Sequence, residues 1–126
     1  MQSRPFSVVV GLTATLTTNI LNPGTTTGGV NSTAAPYDKL RILVRQLRIA
    51  NTTVGALAVT LYRGATGANA AGTELVKAKV VPANDYIDLW YQPWLNFDVA
   101  HFLVGGQTSG STNDLNIQIN GEIMLY

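Results

Sequence analysis

His101 is the only histidine of this 126-residue chain, so a Ser/His/Asp mechanism would have to run through it. No nucleophile elbow accompanies it. Its neighbours Val99, Ala100, Phe102 and Leu103 place it in a strand, as a surface or cross-strand side chain rather than a base. Cysteine is absent, which excludes disulfides, thiolate catalysis and Cys-ligated zinc. Asp85 and Asp88 lie three apart and could contribute to a calcium site. No Asp-x-Asn-x-Asp-Gly loop surrounds them, and turn capping with strand-edge solvation accounts for both. Glu74 and Glu122 have no partner that spacing reveals. The run from Gly64 to Gly72 resembles a phosphate loop only in its glycine count. It lacks Gly-Lys-Ser/Thr and no helix follows to bind an anion, so it reads as a hairpin connection. Asn31-Ser-Thr33 and Asn51-Thr-Thr53 match the glycosylation triplet, which arises by chance in Thr-rich chains. These residues assign no catalytic, cofactor or metal site.

Two features rise above this background. The first is a cationic series, Lys39, Arg41, Arg45, Arg48 and Arg63, concentrated on one strand and the end of its hairpin partner. It is either a solvated face that blunts edge pairing or a patch for an acidic partner. The second is Trp90-Tyr-Gln-Pro-Trp94 with Phe97 close behind. Clustered aromatic residues close one end of a sandwich, anchor a protein interface or stack on a sugar ring.

The elements that must position these residues are β-strands. A chain of 126 residues buries roughly two-thirds of its unfolded surface, enough for one core. Hydrophobic residues make up 46%, which excludes wholesale disorder, and charged residues only 12%, about half the usual share. A net charge of +1 argues against a general nucleic-acid binder. No apolar run approaches the ~18 residues of a membrane span. Arg4 before Phe6–Leu16 superficially suggests a leader peptide, but Val8, Val10, Leu12, Ala14 and Leu16 alternate with Ser7, Val9, Gly11, Thr13 and Thr15. Period two means strand.

Asn19–Pro36 is expected to be a long polar loop. Tyr37–Ala50 follows, with Leu40, Ile42 and Val44 on one face and Leu47 and Ile49 out of phase. A bulge near Arg45–Gln46 would restore register. A helix through Leu40, Leu43, Val44 and Leu47 is the rival, disfavoured by the β-branched content. Asn51–Gly55 is a turn, and Leu57, Val59 and Leu61 alternate into a strand. Further strands are expected at Leu75–Val81, Asp85–Tyr91 ending at Pro93, and Ala100–Val104 closed by Gly105-Gly106. After the polar loop Gln107–Asn113, Leu115, Ile117, Ile119, Ile123 and Leu125 alternate with Asn116, Gln118, Asn120, Glu122 and Met124. That is a half-buried strand solvated on one side. About eight antiparallel strands without a helix read as a single-domain, jelly-roll-like β-sandwich over residues 1–126.

Several of these stretches resemble small virion proteins of tailed bacteriophages. They are Leu47-Arg-Ile-Ala-Asn-Thr-Thr53, then Ala58-Val-Thr-Leu-Tyr-Arg-Gly-Ala-Thr-Gly-Ala-Asn-Ala-Ala-Gly-Thr-Glu74, Val81-Pro-Ala-Asn84, Ala100-His-Phe-Leu-Val-Gly-Gly106 and Leu115–Glu122. The resemblance covers Arg41 to the C-terminus and leaves out the N-terminal strand and Thr-rich loop. It implies a β-rich particle protein without catalytic residues or cofactors, of the head-decoration (cement) type, with a tail or baseplate protein as the alternative. It further implies that the major capsid protein is the partner, that the protein self-associates as a homotrimer, and that it resides on the virion head after assembly in the host cytoplasm. Nucleic acid and membrane are not expected partners. Partner contacts are expected from flexible segments, Met1–Phe6 and Asn19–Pro36, and from Arg41, Arg45, Arg48, Trp90 and Trp94. Val9, Leu43 and Met124 are apolar side chains that one buried sheet face would leave outside. From another class, a carbohydrate-binding module would use the Trp90–Trp94 cluster as its platform.

Overall fold

The structure, a computed structural model, describes residues 2–21, 40–64, 73–97, 101–107, 111 and 113–125. The strands are β1 Gln2–Gly11, β2 Asn19–Leu21, β3 Leu40–Asn51, β4 Leu57–Gly64, β5 Glu74–Val81, β6 Tyr86–Phe97, β7 Phe102–Gln107 and β8 Leu115–Leu125. They form two four-stranded sheets, β1-β8-β3-β6 and β2-β7-β4-β5, and every pair is antiparallel. The chain crosses between sheets at each step except the β4–β5 hairpin. That interleaving is the jelly roll of paired Greek keys, as the alternation predicted.

One apolar cluster joins the sheets. Ile42, Val44, Leu47 and Ile49 of β3 and Leu115, Ile117, Ile119 and Ile123 of β8 belong to it. Ile20, Leu21, Val59, Leu61, Val81 and Leu103 of the other sheet, with Leu12 and Phe97, complete it. Truncating one of these leucines or isoleucines to alanine costs about 2–5 kcal/mol. A smaller cluster of Tyr62, Phe102 and Val104 lies alongside, with Leu16 packed against it.

The alternation of β3 breaks where expected. Opposite β8, Val44 pairs with Gly121 and Gln46 with Asn120, so Arg45 is the extra residue of a bulge. The phase shift keeps Ile42, Val44, Leu47 and Ile49 all buried. It also keeps Arg41, Arg45 and Arg48 on the outer face, although Arg45 and Arg48 are an odd number of residues apart. Gly121 makes room for the bulge: a Cβ there would lie 1.9 Å from the Leu43 carbonyl oxygen.

Several boundaries differ from expectation. Residues Gln2–Phe6 are strand, paired in unbroken register with Gly121–Leu125, and not a flexible arm. β1 ends at Gly11, beyond which the hydroxyls of Thr13, Thr15 and Thr18 hydrogen-bond one another and pull the chain into a turn. The first residues of the stretch expected as a loop at 19–36 are strand instead, because Ile20 and Leu21 are buried and Asn19–Leu21 pairs with β7. Its remainder lies outside the described residues, as do Asn31-Ser-Thr33, Lys39 and positions 65–72. β6 does not stop before Pro93 but continues to Phe97, with Pro93 lodged in a bulge where no ladder donor is needed. β7 likewise runs through Gly105-Gly106. Gly105 holds φ of +144°, and a Cβ there would meet the Thr60 carbonyl oxygen at 2.2 Å. His101 lies just before β7 rather than within it.

Candidate functional site

The outer face of the β1-β8-β3-β6 sheet is laid out by register. Ser7, Asn120, Gln46 and Trp90 form one row, and Val9, Gln118, Arg48 and Asp88 the next. Side chains link these rows in a single direction. Ser7 Oγ donates to Asn120 Oδ1 at 2.7 Å, Asn120 Nδ2 to Gln46 Oε1 at 3.1 Å, and Gln46 Nε2 to Asp88 Oδ1 at 3.1 Å. The series ends on a carboxylate that also receives Arg48, through Nε at 2.7 Å and Nη2 at 3.0 Å. Each amide is oriented by the one before it, so the face is stiff for a solvated surface. The bidentate Arg48 contact holds the Asp88 carboxyl below the usual carboxylate range, overriding partial burial that acts the other way. Asp88 in turn raises Arg48, whose guanidinium also lies 4.3 Å from the Tyr86 ring centre.

The bulge builds a second feature beside this series. Between the pairs Val44–Leu95 and Gln46–Trp90, residues Tyr91–Trp94 of β6 lie opposite the single residue Arg45. The Gln92–Pro93 peptide is cis. The excursion splits the aromatic residues. Tyr91 packs against the core, and burial pushes its phenol above the usual value. Trp94 meets Arg45, whose guanidinium lies 3.9 Å from the ring centre. Trp90 is left 69% exposed. Arg45 is also bonded to Glu122 at 2.9 Å, which places one cation between an indole and a carboxylate. Arg45, Trp90, Tyr91, Gln92 and Trp94 line an open hollow of about 240 Å³.

The five residues singled out from sequence therefore have different roles. Arg45, Trp90 and Trp94 come together at the bulge, while Arg48 is engaged with Asp88 one row away. Arg41 lies further along β3, half-buried and registered with Met124. Neither tryptophan closes an end of the sandwich, and Phe97 is the member of that stretch that enters the core. Arg63 is apart from the series. Its Nε donates to the Asn96 carbonyl at 2.8 Å and ties β4 to β6 across the two sheets. Val9 is 62% exposed on the outer face, whereas Leu43 and Met124 are half-buried there.

Sequence reasoning missed Glu122, Gln46, Asn120 and Ser7. The polar positions of the alternating strands were the available signal, but which residues face one another depends on strand order. The carboxylates considered for calcium have separate duties: Asp85 accepts from the Tyr86 N–H at 2.7 Å, and Asp88 receives Arg48. Among the described residues no group of three or more His, Asp or Glu side chains could hold a metal, and no helix is long and apolar enough to cross a membrane. Asn51 of the second glycosylation triplet is 3% exposed. Its Nδ2 donates to the carbonyls of Gly55 and Val81, at 2.8 and 3.0 Å, so the folded protein does not present it for modification. The chain matches no protein-family model, and no curated protein or solved structure matches it.

Proposed function

We propose that this protein is a non-enzymatic structural component of a bacteriophage particle, a decoration protein of the head that clamps the major capsid protein from outside. The observation that carries the reading is the ordered outer face of the β1-β8-β3-β6 sheet. Its side chains are held by one another rather than aimed into a cleft, as suits a surface that binds without turnover. The motifs between Arg41 and the C-terminus that resemble phage virion proteins support it. So does the jelly roll, by fold-level analogy with viral shell domains.

On this reading the docking face comprises Arg41, Arg45 and Arg48 with Val9, Leu43 and Met124 among them. Trp90 and Trp94 lie at its β6 edge. Arg45 and Arg48 already hold internal carboxylates, so a partner's acid group must exchange with Glu122 or Asp88. Each exposed pair adds only ~0.2–1 kcal/mol, and affinity accumulates through repetition. The protein acts as a homotrimer at three-fold positions of the head, which supplies that repetition. It touches neither nucleic acid nor membrane.

The test is co-sedimentation with stripped phage heads, using Arg41, Arg45 and Arg48 all changed to Gln. The triple variant is expected to fold and to bind heads more weakly, with a smaller response to salt. Unchanged affinity would place the contact elsewhere. A copy number in purified particles matching the tail instead of the head lattice would move the protein to the tail or baseplate.

A further inference from the structure

We propose that the hollow between Arg45, Trp90, Tyr91, Gln92 and Trp94 binds a single ring of a neutral carbohydrate. The hollow lies at the β6 edge of the proposed docking face, but the inference does not rest on head docking.

The argument starts from the exposed indole. Trp90 is the largest apolar side chain left mostly in water among the described residues, at 69% exposure. Packing does not require it there. It pairs with Gln46 on the outer face, while the inward neighbour positions are taken by Leu89 and Tyr91. A flat apolar surface held in solvent by a strand is a platform for a ring with one apolar face.

Size and charge narrow the ring. The hollow, about 240 Å³ and open on one side, lies below the ~300–1,000 Å³ typical of enclosed small-molecule pockets. One ring fits, and an oligomer can extend outward from it. Arg45 is its only cation, and that charge is balanced by Glu122 at 2.9 Å and spread over the Trp94 face at 3.9 Å. A phosphate, sulfate or uronate would have to compete with Glu122 for that charge. A neutral ring would not.

The polar groups suit hydroxyls. Gln92 supplies an exposed amide with both donor and acceptor, and Arg45 has N–H groups beyond the one that meets Glu122. A pyranose matches this mixture, with C–H groups on one face and hydroxyls around the rim. A proline-rich peptide shares the liking for aromatic surfaces, but it uses parallel ridges along an extended groove. Here the chain folds into a short excursion opposite one residue.

The test is an array of neutral and acidic oligosaccharides, followed by titration of the best neutral member against tryptophan fluorescence. Binding to neutral glycans is expected, weakened about tenfold or more by Trp90→Ala and largely retained by Trp90→Phe. Both variants should melt with the parent, because Trp90 is outside the core. Binding confined to acidic glycans would overturn the proposal. So would no glycan binding above the Trp90→Ala protein. Loss of head docking in Trp90→Ala without any glycan signal would return the hollow to the protein interface.

Discussion

Replacing Gly121 by alanine tests the link between the β3 bulge and the arginine–tryptophan feature built on it. The added Cβ would sit 1.9 Å from the Leu43 carbonyl oxygen, 2.9 Å from its carbon and 3.0 Å from Val44 Cα, all of them backbone. Ordinary contact begins at 3.4 Å, so β8 and β3 must separate locally by about 1.5 Å, roughly a third of the ~4.8 Å strand spacing. A displacement of that size overpacks the site and stretches the flanking ladder bonds. Together these cost about 2–4 kcal/mol, against a total stability of roughly 6–19 kcal/mol for 126 residues. Away from such a contact the same change reduces unfolded-chain entropy and stabilises by about 0.4–1 kcal/mol. Gly55, where nothing lies within 4 Å of an added Cβ, is the control for that opposite sign. Urea unfolding at unchanged slope should show Gly121→Ala lowering the midpoint by about 1–2 M, while Gly55→Ala leaves it level or raised. Tryptophan emission of folded Gly121→Ala should shift as well, because Arg45 is the residue the bulge displaces. If Gly121→Ala is neutral or stabilising, the close approach and the bulge account are wrong.

Three further outcomes follow from the side chains. Asn51→Asp replaces the amide that donates to Gly55 and Val81 with an oxygen in a site only 3% exposed. A loss of about 3–5 kcal/mol at neutral pH is expected. The introduced carboxyl is raised above its unfolded value, so the deficit should shrink as pH falls and the proton restores one donor; a deficit independent of pH would refute this. Asp88 has a folded pKa held below its unfolded one, chiefly by Arg48. Its contribution is present above the ordinary carboxylate pKa and is lost as pH falls through the folded value, so Asp88→Asn should flatten the acid limb of a stability–pH curve. Tyr91, raised by burial, should ionise above the ordinary tyrosine range in an absorbance titration, and Tyr91→Phe should remove that late step.

Much of the architecture is local in origin and could be read from the chain. Strict alternation over Leu115–Ile123 defines a strand with one wet face, because side chains alternate across a pleat. The phase slip between Val44 and Leu47 required a bulge at Arg45–Gln46, because both halves of that strand carry an apolar series that must reach one core. Sheet order was not local. Ser7 meets Asn120, and Arg45 meets Glu122, only because β8 lies between β1 and β3, a neighbourhood set by long-range pairing. The same holds for the candidate site. The residue types Trp, Arg and Gln were visible in sequence, and so was their clustering. That Trp94 would lie against Arg45, Tyr91 turn inward and Trp90 remain in solvent was decided by four residues of β6 lying opposite one residue of β3. Periodicity reports which face a strand residue takes while the ladder is regular; where the ladder is interrupted, the packing of neighbouring strands decides.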